Sequence, residues 1–349
     1  MSKYLTPPHT LKQLFLPFFF IVIALLVACT PDTPETNDVS PPVTDTDNLS
    51  IALLTDIDDL MNDYYRLSYD AMRSFAARSG ADLTIVPVHR PSFTPDAFDD
   101  LAQNGLDIAV MTGFSTPELF VEYSNKYPDI YFVSIDYYME TMHDNATSII
   151  FDDTKVGYLA GVLAANLTES NKIGGVYGLE QIPTIIALAN GYELGAKSVN
   201  PDIEVLKDFD SGPNPFSDPE GGAEMANLQL DQGVDVIFAA AGGTGIGALE
   251  AVASYPGNEQ SHYCIGVDTD QWSTVTNAQP CLISSAIKNI PRAIDDVLTL
   301  IINGTPPSDQ FIGTVKLAPF HDFSEQFADL EISLEQLSQE LETTDLPAE

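Results

Sequence analysis

The sequence predicts an α/β protein made of two doubly wound lobes of parallel sheet, with a hinge and a ligand cleft between the lobes. From residue 50 onward, short apolar segments alternate with longer segments of helical periodicity. This alternation occurs in two series of similar sequence, and one strand of each series ends in an aspartate. Repeated strand–helix alternation is typical of parallel sheets that are covered by helices on both faces.

The first series begins after a polar segment and contains four apolar runs with helical segments between them. The predicted strands are 50–54, 83–88, 108–112 and 130–135, and the predicted helices are 63–79, 95–103 and 117–126. The second series has strands at 173–177, 203–209, 234–239 and 263–267, and helices at 154–167, 183–199, 221–232 and 245–255. A further strand at 281–287 and a helix at 290–302 indicate that the chain crosses between the lobes more than once.

These elements predict five regions. They are a signal peptide at 1–28, a flexible tether at 29–49, a first lobe of 50–151 plus 288–305, a second lobe of 152–287 plus 306–325, and an acidic tail at 326–349. The tether contains Pro, Thr, Asp and Asn and almost no apolar residues, a composition that does not form a packed core.

The two series match each other in detail. Residues 105–110 (GLDIAV) resemble 233–238 (GVDVIF), and the strands that follow end in Asp136 and Asp268. Convergence on a common α/β unit is an alternative explanation for the glycines and prolines, but it explains the shared aspartate less well. Ligands of doubly wound sheets bind beyond the carboxyl ends of the strands, so we expect both aspartates to approach one ligand from opposite sides.

The N-terminus has the order of charge and hydrophobicity of a secretory signal. Lys3 and Lys12 precede an apolar run at 14–26, which is followed by the small Ala28 and then Cys29. This junction resembles that of bacterial lipoproteins, in which the cysteine is lipidated and becomes the new N-terminus. An uncleaved transmembrane anchor is the alternative, although the run is shorter than the roughly 20 residues that a span requires.

The charge of the chain excludes one class of partner. After removal of residues 1–28, 12 Lys and Arg remain against 51 Asp and Glu, a net charge of −39. Such a surface repels phosphate backbones, so nucleic acid is not an expected partner.

The sequence contains no motif that supports an enzyme. The five histidines are scattered without metal-ligand spacing, and there is no nucleophile-elbow or P-loop lysine pattern. We therefore expect no metal and no cofactor. Gly242–Gly247 (GGTGIG) follows a strand and opens a helix, where its backbone can approach a ligand or serve as a structural turn. Cys264 and Cys281 are either a disulfide or two buried small hydrophobic residues.

Several segments resemble the basic membrane protein family, which is similar to the purine nucleoside receptors of ATP-driven importers. The segments are Tyr158–Gly161 (YLAG), Asn171–Gly174 (NKIG), Gly195–Pro201 (GAKSVNP), Ala241–Gly245 (AGGTG), Ile265–Gln271 (IGVDTDQ) and the run from Ser284 to Asn289. The resemblance covers about residues 50–317. It implies the type I periplasmic-binding-protein fold, which agrees with the internal duplication.

The resemblance also implies a set of ligand-binding residues: an acid after the first strand, two aromatic residues, an acid ending the fourth strand, and three ribose-binding positions. In this sequence they are Asp56, Tyr64, Asp136, Phe216, Gly242, Asp268 and Lys288. One segment departs from the family pattern, because residues 55–65 (TDIDDLMNDYY) lack its glycines and its Ser-Phe-Asn sequence. The base-facing wall is therefore expected to differ from that of the family.

The resemblance implies a lipid-anchored solute-binding protein outside the cytoplasm. It is expected to capture a nucleoside, with purine favoured, by closure of two lobes, and to deliver it to an ABC permease in the membrane. A ligand sensor with the same fold is one alternative, and an enzyme that acts on nucleosides is another.

Overall fold

The computed structural model describes residues 49–55, 63–88, 95–113, 116–139, 143–256 and 261–346. Within these ranges the strands form two six-stranded sheets. The strands are β1 (Ser50–Thr55), β2 (Asp82–Pro87), β3 (Ile108–Thr112), β4 (Tyr131–Ile135), β5 (Ala146–Ile150), β6 (Lys172–Tyr177), β7 (Glu204–Phe209), β8 (Val236–Ala240), β9 (Tyr263–Asp268), β10 (Leu282–Lys288), β11 (Phe311–Ile312) and β12 (Val315–Leu317). The helices are α1 (Asp63–Ser79), α2 (Pro95–Gln103), α3 (Pro117–Lys126), α4 (Asp153–Leu167), α5 (Pro183–Val199), α6 (Pro219–Asp231), α7 (Gly242–Ser254), α8 (Ile290–Ile302) and α9 (Ala328–Leu341).

The first lobe is built on a parallel sheet of order β11-β5-β4-β3-β1-β2. The central strands β1 and β3 are buried along almost their whole length because helices cover both faces of the sheet. This explains why both read as continuous apolar runs rather than as alternating ones. The first lobe therefore has the predicted doubly wound architecture.

The second lobe is built on a sheet of order β12-β10-β9-β8-β6-β7, in which only the β10–β12 pair is antiparallel among the described strands. In this lobe, helices α4 and α5 pack closely against each other. A Cβ added at Gly157 would lie 2.1 Å from the Leu188 carbonyl oxygen, and one at Gly161 would lie 2.0 Å from the Tyr192 oxygen. Glycine at these positions lets the two helices approach, which sets the N-termini of α4 and α5 beside the cleft.

The chain crosses between the lobes three times in the described ranges: from β5 to α4, from β10 to α8, and from β11 to β12. The last crossing corrects one predicted boundary. Residues 306–325 were assigned to the second lobe, but β11 pairs with β5 in the first sheet. The predicted acidic tail contains α9, which packs on α4 and β12 of the second lobe. Lys155 Nζ donates to the Leu341 carbonyl oxygen at 2.8 Å and attaches the end of α9 to α4.

The two interior cysteines form a disulfide. Cys264 and Cys281 lie at the starts of the neighbouring strands β9 and β10, with their Cα atoms 5.2 Å apart. The Cys264 amide also donates to the Cys281 carbonyl at 2.7 Å. Of the two interpretations of these cysteines, a disulfide or two buried thiols, the structure has the disulfide. Disulfides are typical of proteins in oxidising compartments.

The predicted signal peptide and tether, including Cys29, lie outside the described residues, apart from Leu49. None of the helices in the described ranges combines the length and the apolarity that crossing a membrane requires.

Candidate ligand-binding cleft

A cleft lies between the carboxyl ends of the two sheets. It is lined by Tyr64, Asp136 and Lys288, by Thr184, Ile185 and Leu188 of α5, by Phe216, and by Ala240, Ala241, Gly242, Val267 and Asp268. The space between these atoms is about 470 Å³ and includes open solvent, but the centre of a water molecule can occupy only about 50 Å³ of it. The lobes are therefore close together, and a ligand larger than a few waters needs them to separate for entry.

Asp136 and Asp268 occupy equivalent places in the two lobes and share an uncommon backbone conformation. Each follows the apolar core of its strand, and their φ angles are 57° and 66°. Positive φ is rare outside glycine and is often found at functional sites. Both aspartates border the same cleft, one from each lobe.

Lys288, the last residue of β10, is buried between carboxylates of both lobes. Its Nζ atom lies 2.9 Å from Asp136 Oδ2 in the first lobe and 2.6 Å from Asp153 Oδ1 in the second. Burial by itself lowers the pKa of the lysine, but Asp136, Asp153 and Asp268 outweigh that effect and hold it well above its usual value. The ammonium is therefore charged at any physiological pH.

Asp153 belongs to the charged cluster around Lys288, and sequence reasoning missed it, as it missed the aliphatic residues that line the cleft. Its carboxyl is buried at the first turn of α4, and it makes an ion pair with Lys288 without the geometry of a hydrogen bond. Burial raises the pKa of Asp153 to about 7; Lys288 opposes this rise and Asp136 adds to it. The available signal was its position, an acid directly after a strand and at the start of a helix, but Asp152 has the same features and faces solvent more.

Asp268 does not pair directly with Lys288. Lys288 pairs with Asp136 and Asp153, and it affects Asp268 only through a longer-range attraction. Burial raises the pKa of Asp268 to about 6, with a further rise from Asp136 and Asp63. Among the described residues, its carboxylate has no hydrogen-bond partner. It is therefore an available acceptor in the cleft.

Two aromatic side chains reach the cleft from opposite lobes. Tyr64 stands on the first turn of α1, and its hydroxyl donates to the Ile135 carbonyl at 3.2 Å. Phe216 precedes α6, and its ring covers Gly178, where a Cβ would lie 2.1 Å from a ring carbon. A side chain at residue 178 would displace the ring, so glycine at this position leaves the space that Phe216 occupies.

Gly242 lines the cleft at the start of α7, with φ of 55°. The start of α7 makes two hydrogen bonds to the loop before α6, one as donor and one as acceptor. The Gly243 amide donates to the Phe216 carbonyl at 2.8 Å, and the Asp218 amide donates to Thr244 Oγ1 at 2.9 Å. The glycine-rich segment therefore holds the loop that carries Phe216, in addition to lining the cleft.

The remaining predicted site residue, Asp56, lies outside the described residues. In the part of the chain that the structure describes, no group of His, Cys, Asp or Glu side chains has an arrangement suited to a metal ion.

The family model described as ABC transporter substrate-binding protein, PnrA-like, matches residues 55–313. The chain belongs to this family. The resemblance noted in the sequence is thereby confirmed, and the family is one of substrate-binding proteins rather than enzymes.

Relatives of known sequence support the same assignment. Basic membrane protein B of Borreliella burgdorferi is 34% identical over 199 residues, which are 56% of this chain and 55% of the relative. The ABC transporter nucleoside-binding protein BmpA of Lactococcus lactis is 30% identical over 232 residues, which are 64% and 65% of the two chains. The matched region thus spans between about half and two thirds of these relatives.

Solved structures of solute-binding proteins share the fold. One from Aeropyrum pernix K1 has a TM-score of 0.66 at 22% identity and covers 84% of this chain and 85% of that one. One from Conexibacter woesei has a TM-score of 0.66 at 22% identity, with 86% and 98% covered. At such identity the likeness shows the two-lobed type I fold alone.

The buried carboxyl of Asp153 predicts a pH dependence of stability. Its pKa of about 7 lies above that of an unfolded aspartate, so its favourable contribution is complete at low pH and is lost as pH rises through 7. The destabilisation of wild type relative to Asp153→Asn should therefore grow between pH 4 and 7, by at most about 1.4 kcal/mol per pH unit.

Urea unfolding at a series of pH values measures this difference. Asp152→Asn is the matched control, because it removes the neighbouring carboxylate without changing the buried cluster. Parallel pH profiles for wild type and Asp153→Asn would contradict the assignment.

Proposed function

We propose that this protein captures a nucleoside, with purine favoured, in the cleft between its lobes and delivers it to an ATP-driven importer. The observation that carries the proposal is the combination of side chains in the cleft. Aromatic rings from both lobes border the same space as an available carboxylate, Asp268, and a buried ammonium, Lys288. The Lactococcus lactis relative, named as a nucleoside-binding protein, supports this ligand class.

The parts of a nucleoside match these groups. A base is a flat π-surface, and stacking on an aromatic side chain contributes about 1–3 kcal/mol. Ribose hydroxyls both donate and accept, so they can donate to Asp268 and accept from Lys288. An ammonium has three N–H donors, and the hydrogen bond to Asp136 occupies one of them. In the proposed complex, a remaining donor binds the ligand. No covalent chemistry is required.

The charge of the cleft favours a nucleoside over a nucleotide. Three carboxylates, those of Asp136, Asp153 and Asp268, surround a single lysine. A phosphate group entering this site would meet repulsion that one ammonium does not offset. The proposed ligand is therefore uncharged.

Delivery depends on closure and on location. Ligand contacts with both lobes shift the population toward the closed state, which is the form we propose a permease accepts. Lipidation of Cys29 would hold this form near the membrane on a tether, at high effective concentration.

Calorimetric titration with inosine, adenosine, hypoxanthine, ribose and inosine monophosphate tests the ligand class. The nucleosides should bind, and the monophosphate should not. Asp268→Asn should weaken nucleoside binding by about 10- to 100-fold, because it replaces a charged acceptor with a neutral amide that has only one acceptor oxygen. Asp270→Asn is the control, since Asp270 pairs with His321 and does not line the cleft. Binding of ribose or the monophosphate in preference to inosine would overturn the proposal.

The aromatic contacts have a separate test. Tyr64→Ala should weaken inosine binding by about 5- to 150-fold, the equivalent of one stacking contact. Tyr64→Phe keeps the ring and loses the hydroxyl, which donates to the Ile135 carbonyl, so it should bind within about threefold of wild type. A loss in Tyr65→Ala but not in Tyr64→Ala would assign the stacking role to the neighbouring ring.

The proposed anchor is tested by phase partition of the full chain expressed in a lipoprotein-processing bacterium. Wild type should enter the detergent phase, and mass spectrometry of its N-terminus should find a chain that begins at Cys29 and carries acyl chains. A detergent-phase protein that begins at Met1 with an unmodified Cys29 would instead indicate an uncleaved apolar anchor.

A further inference from the structure

A second contact joins the lobes outside the cleft. Asp63, on the first turn of α1 in the first lobe, accepts a hydrogen bond from Gln271 of the second lobe, with Nε2 and Oδ2 3.0 Å apart. Thr274 Oγ1 donates to the same oxygen at 3.4 Å. Asp63 and Gln271 are both buried, and neither lines the cleft. We call the Asp63–Gln271–Thr274 contact the clasp.

The second-lobe side of the clasp is held rigidly. Gln271 Oε1 accepts from the Val267 backbone amide at 3.0 Å, and the backbone amide of Gln271 itself donates to Ser285 Oγ at 3.2 Å. The side chain lies against Gly266, where a Cβ would be only 2.2 Å from Oε1. Its amide nitrogen is therefore aimed at the first lobe before the lobes meet.

The first-lobe side is also held in place. Arg66, one turn along α1, forms an ion pair with the other oxygen of Asp63. The carboxylate thus has one oxygen occupied within its own lobe and one directed across the interface. Both sides are preorganised, so little side-chain freedom is lost when the clasp forms.

We propose that the clasp stabilises the closed arrangement and slows ligand release, with Asp63 and Gln271 as positioning residues. This inference rests on the proposed binding function for its effect on ligand, but not for its effect on lobe closure. The contact has a direct route to the site, because Asp63 adjoins Tyr64 in sequence and Gln271 follows Asp268 by three residues. Closing the clasp therefore sets an aromatic residue of one lobe relative to an acceptor of the other.

An added negative charge tests the clasp. Gln271→Glu keeps the acceptor for the Val267 amide but replaces the donor facing Asp63 with a second carboxylate. The ligand-free variant should have a larger radius of gyration in small-angle X-ray scattering. Inosine should dissociate about tenfold faster, as expected for loss of a charge-assisted hydrogen bond and gain of repulsion. Trp272, the only tryptophan of the chain, adjoins Gln271 and supplies a fluorescence signal for the dissociation rate.

The matched rescue is the double variant Asp63→Asn with Gln271→Glu, in which donor and acceptor are exchanged. Its radius of gyration and dissociation rate should return to within about twofold of wild type. A double variant as open as Gln271→Glu would overturn the proposal, as would a Gln271→Glu variant unchanged in scattering. If Gln271→Glu fails to fold in a thermal melt, Asp63→Ala removes the acceptor from the other lobe and carries the same test.

The two proposals fail in different ways. If wild type does not bind inosine, the nucleoside assignment falls, and the scattering comparison of the ligand-free proteins still decides the clasp. If inosine binds wild type but the variants keep its radius of gyration and dissociation rate, the clasp falls and the nucleoside assignment stands.

Discussion

The buried ammonium of Lys288 is the interaction on which the cleft depends. Three carboxylates converge where the carboxyl ends of two sheets meet, and without a cation among them their repulsion would separate the lobes. Lys288 ends β10, at the point where the chain returns to the first lobe, so its pair with Asp136 spans the hinge region. Removing one partner of such a buried pair typically costs about 3–5 kcal/mol, since a charge is left uncompensated. The lysine thus holds the two lobes' carboxylates together and also lines the cleft.

Around this ion pair, the duplicated lobes contribute different chemistry to the same space. The equivalent aspartates share a left-handed backbone conformation, but Asp136 is bound to Lys288, whereas Asp268 has no hydrogen-bond partner among the described residues. The first lobe therefore contributes a carboxylate that is paired with Lys288, and the second contributes one that can accept further hydrogen bonds. The glycine-rich start of α7 adds a third element, because it holds the Phe216 loop with a backbone hydrogen bond. A near-symmetric fold therefore supports an asymmetric site.

Much of the fold was predictable because its signals are local. Helices α1, α2 and α3 were predicted with the bounds that the structure has, since proline and glycine punctuate that region clearly. Strand β5 was missed because Thr147 and Ser148 give it little apolar character. Both side chains are nevertheless buried, and they form hydrogen bonds with the Asp309 carbonyl and the Ser134 hydroxyl. Strands β11 and β12 are too short for any periodicity, and the assignment of 306–325 to one lobe was wrong for that reason. The sequence left the pairing of Cys264 with Cys281 undecided, because only the tertiary structure makes β9 and β10 neighbours.

The sequence by itself determined the class of fold and the duplication, because apolar periodicity, glycine placement and strand-end aspartates are properties of short segments. Short motifs carried the family resemblance, and that resemblance implied six of the residues that line the cleft. Only the tertiary structure decided which charges meet. Asp153 joined the site, Lys288 paired with Asp136 rather than with Asp268, and Asp63 met Gln271 across the lobes. The physical reason is that these pairs form between residues 135–208 positions apart, and among 51 acids no local pattern distinguishes the few that burial and lobe closure place beside a cation or an amide.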